Sequence, residues 1–448
     1  VNLKKIHNIY FIGIGGIGMS ALAKYFHANG KQVAGYDKTA TKITEGLQAS
    51  GIAIHFEDAL ANIPTEFTNK ATTLVVFTPA IPKEHKELNF FQKEGFTIFK
   101  RAEVLGLITQ NSYCFAVAGT HGKTTTSSIL GHILQPYHAT SFLGGISENY
   151  HSNLILGKHN ISVVEADEFD RSFLKLSPNI ACITSTDADH LDIYGEHAEL
   201  QQSFQDFAQL VTDKLFVAKG VDIHGITYAV EEPADYEIQN VTIENGHYKF
   251  DIKTTKEVIQ DVEFSLPGKH NLMNALAAVA MADSYAIPLK EIKESLRNFK
   301  GVERRFSYRI KSDDLVLIDD YAHHPTEIEA VYQAVQEMYP NEKCLVIFQP
   351  HLFSRTQDFA ADFASTLSKF NAVRLLDIYP ARELPIEGVT SNWLLSKISN
   401  GNKKLTYEEN LLSEIQNSDA KIVAMLGAGD IGAMIDRLVN QLNSMEKV

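Results

Sequence analysis

Ala118-Gly119-Thr120-His121-Gly122-Lys123-Thr124-Thr125-Thr126 is the stretch whose reading decides the fold. An apolar run, Tyr113 to Ala118, enters it, and a run with helical spacing, Thr125 to Leu134, leaves it. The pattern predicts a strand, a tight glycine turn and a helix start. Such a turn aims several backbone N–H groups at one point, where the helix dipole adds partial positive charge. Lys123 supplies a full charge for phosphate oxygens, and the Thr124 hydroxyl is placed to reach a magnesium ion. The general phosphate-loop pattern opens with a further glycine where this chain has Val117, so the loop is a shorter variant. A bland glycine turn beside a surface lysine is the alternative. Strand, loop and helix in the required order favour a nucleoside-triphosphate cradle.

The chain of 448 residues is too long for one ordinary core, so two or three domains are expected. A hydrophobic fraction of 44% fits globular domains. A net charge of −14 argues against a general nucleic-acid binder, while leaving room for a local basic pocket. Cys114, Cys182 and Cys344 are odd in number and widely spaced, which offers neither a disulfide framework nor a CxxC metal site. Buried thiols in a reducing compartment are expected. With no signal peptide and no long apolar span in the sequence, the expectation is a cytoplasmic protein without membrane insertion.

Residues 1–105 read as a first domain. The strand Ile9 to Ile12 runs into Gly13-Ile14-Gly15-Gly16-Ile17-Gly18, then a helix, then the strand Gln32 to Tyr36 ending at Asp37. This GxGxxG turn with a later acid fits a dinucleotide fingerprint, yet the turn senses only pyrophosphate. NAD and a UDP-sugar stay equally open on these residues, with a ligand-free packing turn as the bland alternative. Leu74 to Phe77 leads into Thr78-Pro79-Ala80-Ile81-Pro82, and Lys100-Arg101-Ala102-Glu103 closes the segment. Arg101 taken alone is as readily a solvated linker charge.

Residues 106–303 read as a central domain. Ser141 to Gly145 predicts a strand and a glycine turn. The strand Ile161 to Val164 ends in Glu165-Ala166-Asp167-Glu168-Phe169-Asp170-Arg171, a cluster of acids beside the phosphate loop. Such clusters are common on solvated loops, but ligands gather at strand carboxyl ends in open parallel sheets, and magnesium prefers oxygen. The strand Ile180 to Ser185 leads to Asp189-His190-Leu191-Asp192. A loop histidine is most often a surface residue, and a nitrogen ligand is unusual for magnesium. Alternating runs from Thr227 to Leu266, with Glu244-Asn245-Gly246-His247 as a hairpin signal, predict antiparallel strands extending the sheet. Gly268-Lys269-His270-Asn271-Leu272-Met273-Asn274 opens a helix.

Residues 304–448 read as a third, doubly wound α/β domain. Its strands end at Asp319-Asp320-Tyr321-Ala322-His323-His324-Pro325, at Gln349-Pro350-His351-Leu352-Phe353-Ser354-Arg355, and at Gly427-Ala428-Gly429-Asp430-Ile431-Gly432. Gly301 to Phe306 is a basic hinge candidate before them. The second GxGxxG weakens a simple dehydrogenase reading.

The shortened loop Gly119 to Thr125 resembles the ATP loop of the Mur ligases, which join amino acids to UDP-muramoyl precursors of bacterial peptidoglycan. The resemblance extends along the whole chain. It implies a three-domain α/β fold: a Rossmann-like N-terminal domain for the UDP-sugar, a central P-loop ATPase domain with a mostly parallel sheet and small antiparallel extension, and a Rossmann-like C-terminal domain for the amino acid. By the same resemblance Gly119, Thr120, His121, Gly122, Lys123, Thr124 and Thr125 hold ATP, with His270, Asn271, Asn274 and Asp320 about its adenine and ribose. Thr124, Glu165 and His190 hold Mg2+. Gly15, Gly16, Ile17, Gly18, Asp37, Thr78, Ala80, Arg101, Glu103 and Arg171 surround the UDP-substrate. Lys123, Glu165, His190, His324, His351 and Arg355 carry the catalysis, with His324 and His351 as candidate bases.

Several members carry a carbamylated lysine where this chain has Gln205, and the first lysine after His190 is Lys214. That favours the branch adding L-alanine to UDP-N-acetylmuramate. The resemblance implies an acyl-phosphate intermediate, and a monomer and a homodimer both stay open. The family often has an arginine where this chain has Leu352, which shifts more of the alanine carboxylate's binding to Arg355. Three rivals stand beside this: a tripeptide-adding recycling ligase of the same family, an NAD-dependent oxidoreductase, and a phosphate-loop switch without ligase activity.

Overall fold

The computed structural model describes residues 3–158, 160–187, 197–244, 246–381 and 383–445. Three sheets carry the chain. The first holds β1 (Asn8–Ile12), β2 (Gln32–Tyr36), β3 (Ala53–His55), β4 (Thr73–Phe77) and β5 (Thr97–Lys100) in the order β3-β2-β1-β4-β5. Among the described residues all its neighbours pair in parallel. β1 is buried at all five positions, as expected of a parallel strand covered on both faces.

The second sheet is larger. It holds β6 (Tyr113–Ala118), β7 (Thr140–Ser147), β8 (Ser152–Ile155), β9 (Ile161–Glu165), β10 (Ile180–Ile183), β11 (Lys214–Ala218), β12 (Ile226–Val230), β13 (Tyr236–Glu244), β14 (His247–Lys253) and β15 (Val258–Phe264). Their order is β15-β14-β13-β12-β11-β10-β6-β9-β7-β8. β6, β9, β10 and β11 are parallel neighbours, and β8 runs antiparallel to β7. Two sequence expectations change here. The glycine turn predicted after Leu143 is absent, because β7 continues through Gly144 and Gly145. The extension expected to be antiparallel from Thr227 begins with a parallel pair, β12 with β13. The link between them is fixed by Asp235, whose Oδ2 accepts from both the N–H and the hydroxyl of Thr227 at 2.7 Å. β13, β14 and β15 then follow in chain order at the edge.

The third sheet holds β16 (Ser307–Lys311), β17 (Val316–Asp320), β18 (Cys344–Phe348), β19 (Ala372–Leu375), β20 (Lys403–Leu405) and β21 (Ile422–Leu426), ordered β16-β17-β21-β18-β19-β20. Among the described residues β16 against β17 is antiparallel and the other neighbours are parallel.

By its own contacts the chain forms two compact units: Val1–Val241 with Lys249–Phe264 and Met273–Lys300, and Thr242–Tyr248 with Ser265–Leu272 and Gly301–Val448. The first unit unites the first two sheets for a visible reason. Asn153 on β8 is fully buried; its Nδ2 donates to Ile17 O at 2.6 Å and Ser20 Oγ at 2.8 Å, and its Oδ1 accepts from Lys24 Nζ at 2.8 Å. That fastens the helix Ile17–Ala28 to the central sheet. One apolar core accordingly runs from Ile9 and Phe11 through Phe142 to Phe173 and Phe204. Cys114, Cys182 and Cys344 are buried free thiols, each pushed up to about 12 by burial.

Candidate active site

β6 delivers the chain to the loop, and the helix Lys123–Leu134 leaves it. Gly119 has φ 130°, a conformation that excludes side chains, and a β-carbon there would lie 2.1 Å from Thr184 Oγ1. Gly122 starts the helix at φ 81°, and among the described residues no side chain caps it, so its first N–H groups face outward for an anion. Ser185 braces the loop: its Oγ shares a hydrogen bond with Thr120 Oγ1 at 2.8 Å and accepts from the His121 N–H at 3.0 Å. Beneath Gly122, Asn274 Oδ1 accepts from Thr126 Oγ1 at 3.2 Å, and a β-carbon on Gly122 would meet that oxygen at 2.3 Å. Asn274 therefore supports the loop from below. Thr125 is buried within the helix start.

Lys123 Nζ donates to Gly119 O at 2.6 Å and lies 2.9 and 2.8 Å from the two carboxylate oxygens of Glu168. Burial alone would lower its pKa; the carboxylates of Glu168, Asp167 and Glu165 outweigh that and raise it. The ammonium is thus held charged.

The register of β6 against β9 pairs Val117 with Glu165, so the acid emerges at the same rim as the loop. Thr124 Oγ1 donates to Glu165 Oε1 at 3.0 Å and Oε2 at 3.1 Å, and the Gly144 N–H donates to Oε2 at 2.9 Å. A hydroxyl and a carboxylate converging beside a phosphate loop are the hard oxygen donors magnesium takes. Among the described residues no group of three or more His, Cys, Asp or Glu could form a cage. His190, the third expected ligand, lies outside the described residues.

A cavity of about 730 Å³ opens at the first sheet's carboxyl edge. Gly15, Gly16, Asp37, Thr78 and Ala80 line it, with Tyr36, Lys38 and His85. Asp37 ties the turn together, its Oδ2 accepting from the Gly15 N–H at 2.7 Å. The helix Ile17–Ala28 starts at Gly16 without a side-chain cap among the described residues, the arrangement that receives pyrophosphate. Ile17 opens that helix. Gly18 is covered by Arg101: a β-carbon would meet Arg101 Cδ at 2.9 Å. Arg101 is not a free linker charge, since Nη2 donates to Asp167 Oδ2 at 3.3 Å. Glu103 caps its own helix, accepting from the Lys100 N–H at 2.7 Å. Arg171 is half exposed, with left-handed φ of 53°, and donates to Glu199 Oε2 at 3.2 Å.

The second unit gathers another set. His351 stacks on Tyr379 with ring centroids 5.7 Å apart, and Arg355 Nη1 approaches His351 Nδ1 at 3.5 Å. The ring facing His351, at 5.9 Å, belongs to His323. Burial lowers the His323 pKa, the Glu327 carboxylate opposes, and Arg355 lowers it further. His324 instead caps the helix Pro325–Met338, its Nδ1 accepting from the Thr326 N–H at 3.4 Å and its ring 4.6 Å from that of Phe359. Of the two adjacent histidines, His323 is the one whose ring faces His351. Leu352 sits at φ 69°, starting the short helix that carries Arg355. Asp320 is buried, each oxygen accepting a backbone N–H, from Phe306 at 2.6 Å and Ala322 at 2.7 Å. Burial pushes its carboxyl up to about 6. His270 and Asn271 begin the helix Lys269–Ser284, where Asn271 Nδ2 donates to Pro267 O at 2.7 Å. The second GxGxxG is a packing turn: β-carbons on Gly429 and Gly432 would meet Gln349 Oε1 at 2.4 Å and Arg304 Cζ at 2.7 Å. The basic segment is held in place too, with Arg304 and Arg305 over the Tyr321 ring at 5.1 and 5.4 Å.

Three family models match the chain in succession: the catalytic domain of the Mur ligase family over residues 8–113, the Mur ligase middle domain over 117–282, and the Mur ligase, glutamate ligase domain over 304–441. The UDP-N-acetylmuramate–L-alanine ligase of Flavobacterium psychrophilum is 58% identical over 447 residues, covering 99% of this chain and 100% of that one. The chain belongs to the Mur ligase family. The corresponding ligase of Christiangramia forsetii is 57% identical over 446 residues, covering 98% and 99% of the two chains. Among solved structures, the UDP-N-acetylmuramate–alanine ligase MurC of Thermotoga maritima is 29% identical with a TM-score of 0.83, covering 98% and 99%.

In this Mur ligase, four contributors escaped the sequence reading. Ser185 was a strand end, and nothing in its type marked it as a loop brace. Gly144 was assigned to a turn, although a glycine facing a strand-end acid signals close approach. Glu168 was one acid among four, and only its complete burial singles it out. His323, whose ring faces His351, carries no distinguishing mark, because sequence does not say which of two adjacent histidines caps a helix.

Proposed function

We propose that this chain is the ATP-dependent ligase that joins L-alanine to the lactyl carboxylate of UDP-N-acetylmuramate in peptidoglycan precursor synthesis. The single observation that carries the chemistry is the convergence of Lys123, Thr124 and Glu165 at one loop, in the same compact unit as the cavity at Gly13 to Gly16. Full-length similarity to the alanine-adding ligases selects the substrates. The tripeptide-adding and oxidoreductase alternatives are not favoured by these relatives.

The cavity receives the UDP moiety, its pyrophosphate at the Gly16 helix start. The loop receives the ATP phosphates. The lactyl carboxylate attacks the γ-phosphorus, giving an acyl phosphate and ADP. The alanine amine, deprotonated, then attacks the acyl carbon and expels phosphate. Lys123 and the loop N–H groups neutralise charge that spreads over the transferring phosphoryl oxygens, which is most of what such a step needs. Mg2+, held by Thr124 and Glu165, would add Lewis-acid charge neutralisation there. Arg355 binds the alanine carboxylate, and His323 with His351 accepts the ammonium proton. Three buried free thiols support a reducing, cytoplasmic setting, and among the described residues no helix is long and apolar enough to cross a membrane.

The test is phosphate release from ATP with each component omitted in turn. Release should require UDP-N-acetylmuramate, L-alanine and Mg2+ together. Release indifferent to both UDP-N-acetylmuramate and L-alanine would refute the ligase reading.

A further inference from the structure

Glu168 is fully buried, and both its oxygens lie against the Lys123 ammonium. It sits where β9 gives way to the turn Phe169–Lys175, in which two consecutive non-glycine residues, Asp170 and Arg171, adopt left-handed φ of 53°. The backbone there is strained, and a buried carboxylate is what that segment begins with. An ammonium has three N–H donors. Gly119 O at 2.6 Å takes one and Glu168 takes another. The third is donated to Thr120 O at 3.4 Å, the longest of the three bonds and the weakest, and Thr120 lies in the phosphate loop. Lysine cannot leave Glu168 for a phosphate without stranding a buried charge, which is strongly unfavourable.

We propose that Glu168 is a positioning residue: it pins the Lys123 ammonium against Gly119 so that the remaining N–H points into the loop, toward the phosphoryl group being transferred. The phosphate adds to the pair and does not displace Glu168. This rests on the ATP-ligase reading above. Because the pair is electrically neutral, Glu168 weakens ground-state attraction for ATP while fixing the geometry used in the transition state.

The variant Glu168→Gln keeps the shape and a hydrogen-bond acceptor while removing the charge. At saturating substrates its kcat for phosphate release should fall about tenfold to a hundredfold, the range a misplaced catalytic group costs. Its KM for ATP should be equal to or below that of the parent. A raised KM with an unchanged kcat is what loosened packing would give, and it overturns the proposal, as does full activity. The second test is a cycle with Lys123→Met. If Glu168 acts through Lys123, the double variant is no slower than Lys123→Met alone and melts at a higher temperature, because the stranded carboxylate is gone. Losses that multiply overturn it. Should Glu168→Gln not fold, Glu168→Asp serves: the charge stays but retreats by one methylene, so kcat should still fall without a rise in KM for ATP, and parental kcat overturns the proposal. The parent protein, run without UDP-N-acetylmuramate or without L-alanine, tests the ligase reading separately. If its turnover ignored both, that reading alone would fail, and the same variant comparison would be made on ATP hydrolysis.

Discussion

Replacing Gly144 by alanine would place a methyl carbon 2.1 Å from Glu165 Oε2. Gly144 lies in the extended strand Thr140–Ser147 without a positive φ, so the backbone accepts alanine. The atom met is the far end of a flexible side chain, so the carboxylate is what yields. Reaching an ordinary contact of about 3.4 Å requires it to retreat roughly 1.3 Å. That breaks the 2.9 Å bond from the Gly144 N–H and withdraws the carboxylate from Thr124 Oγ1 at 3.0 Å. A hydrogen bond to a charged group is worth about 1.5–3 kcal/mol, and about 1.4 kcal/mol corresponds to a tenfold change. The half-saturating Mg2+ concentration for phosphate release should therefore rise about tenfold to a hundredfold, with the melting temperature nearly unchanged. The assay is phosphate release titrated with MgCl2 at fixed ATP, beside a thermal melt. An unchanged Mg2+ requirement in a folded variant would show that Glu165 does not hold the metal where Thr124 and Gly144 place it.

Lys123→Met should slow ligation severely and also lower stability, because it strands Glu168; a buried unpaired charge costs about 3–5 kcal/mol, and a denaturant melt at pH 7.5 reads it. Glu87 is fully buried, and desolvation pushes its carboxyl up to about 7 despite the opposing hydrogen bond from Tyr10. A carboxyl raised in the folded state favours folding below its unfolded pKa and loses that contribution as pH rises through the folded value. Glu87→Gln should therefore be neutral near pH 4 and stabilising at pH 8, by at most about 3 kcal/mol; equal effects at both pH values in chemical melts would contradict this. The three cysteine thiols, pushed up to about 12 by burial, should ignore a disulfide reagent at pH 8 until the protein unfolds. A thiol titrating in the native state would place that residue wrongly.

The parallel strands were legible because their apolar runs are covered on both faces and end at glycine turns. β2 and β18 fall where the pattern put them. The meeting of the loop with Glu165 was legible too, since open parallel sheets bring such groups together at strand carboxyl ends. What stayed hidden depends on contacts between distant segments. Asn153, an ordinary polar residue in the sequence, joins two sheets into one unit because three partners converge on it. The parallel start of the extension at β12 and β13 depends on Asp235 clasping Thr227, a contact that period-two alternation does not encode. Glycine spacing is ambiguous at Gly427 to Gly432, where close packing against Gln349 and Arg304 demands the same residues as a pyrophosphate would.

The central claim is that a carboxylate oxygen attacks the terminal phosphorus of ATP before the amide forms. UDP-N-acetylmuramate labelled with oxygen-18 in the lactyl carboxylate tests it by mass spectrometry of the released phosphate. The account predicts one labelled oxygen in each phosphate for every amide made. Amide formed with wholly unlabelled phosphate would contradict it.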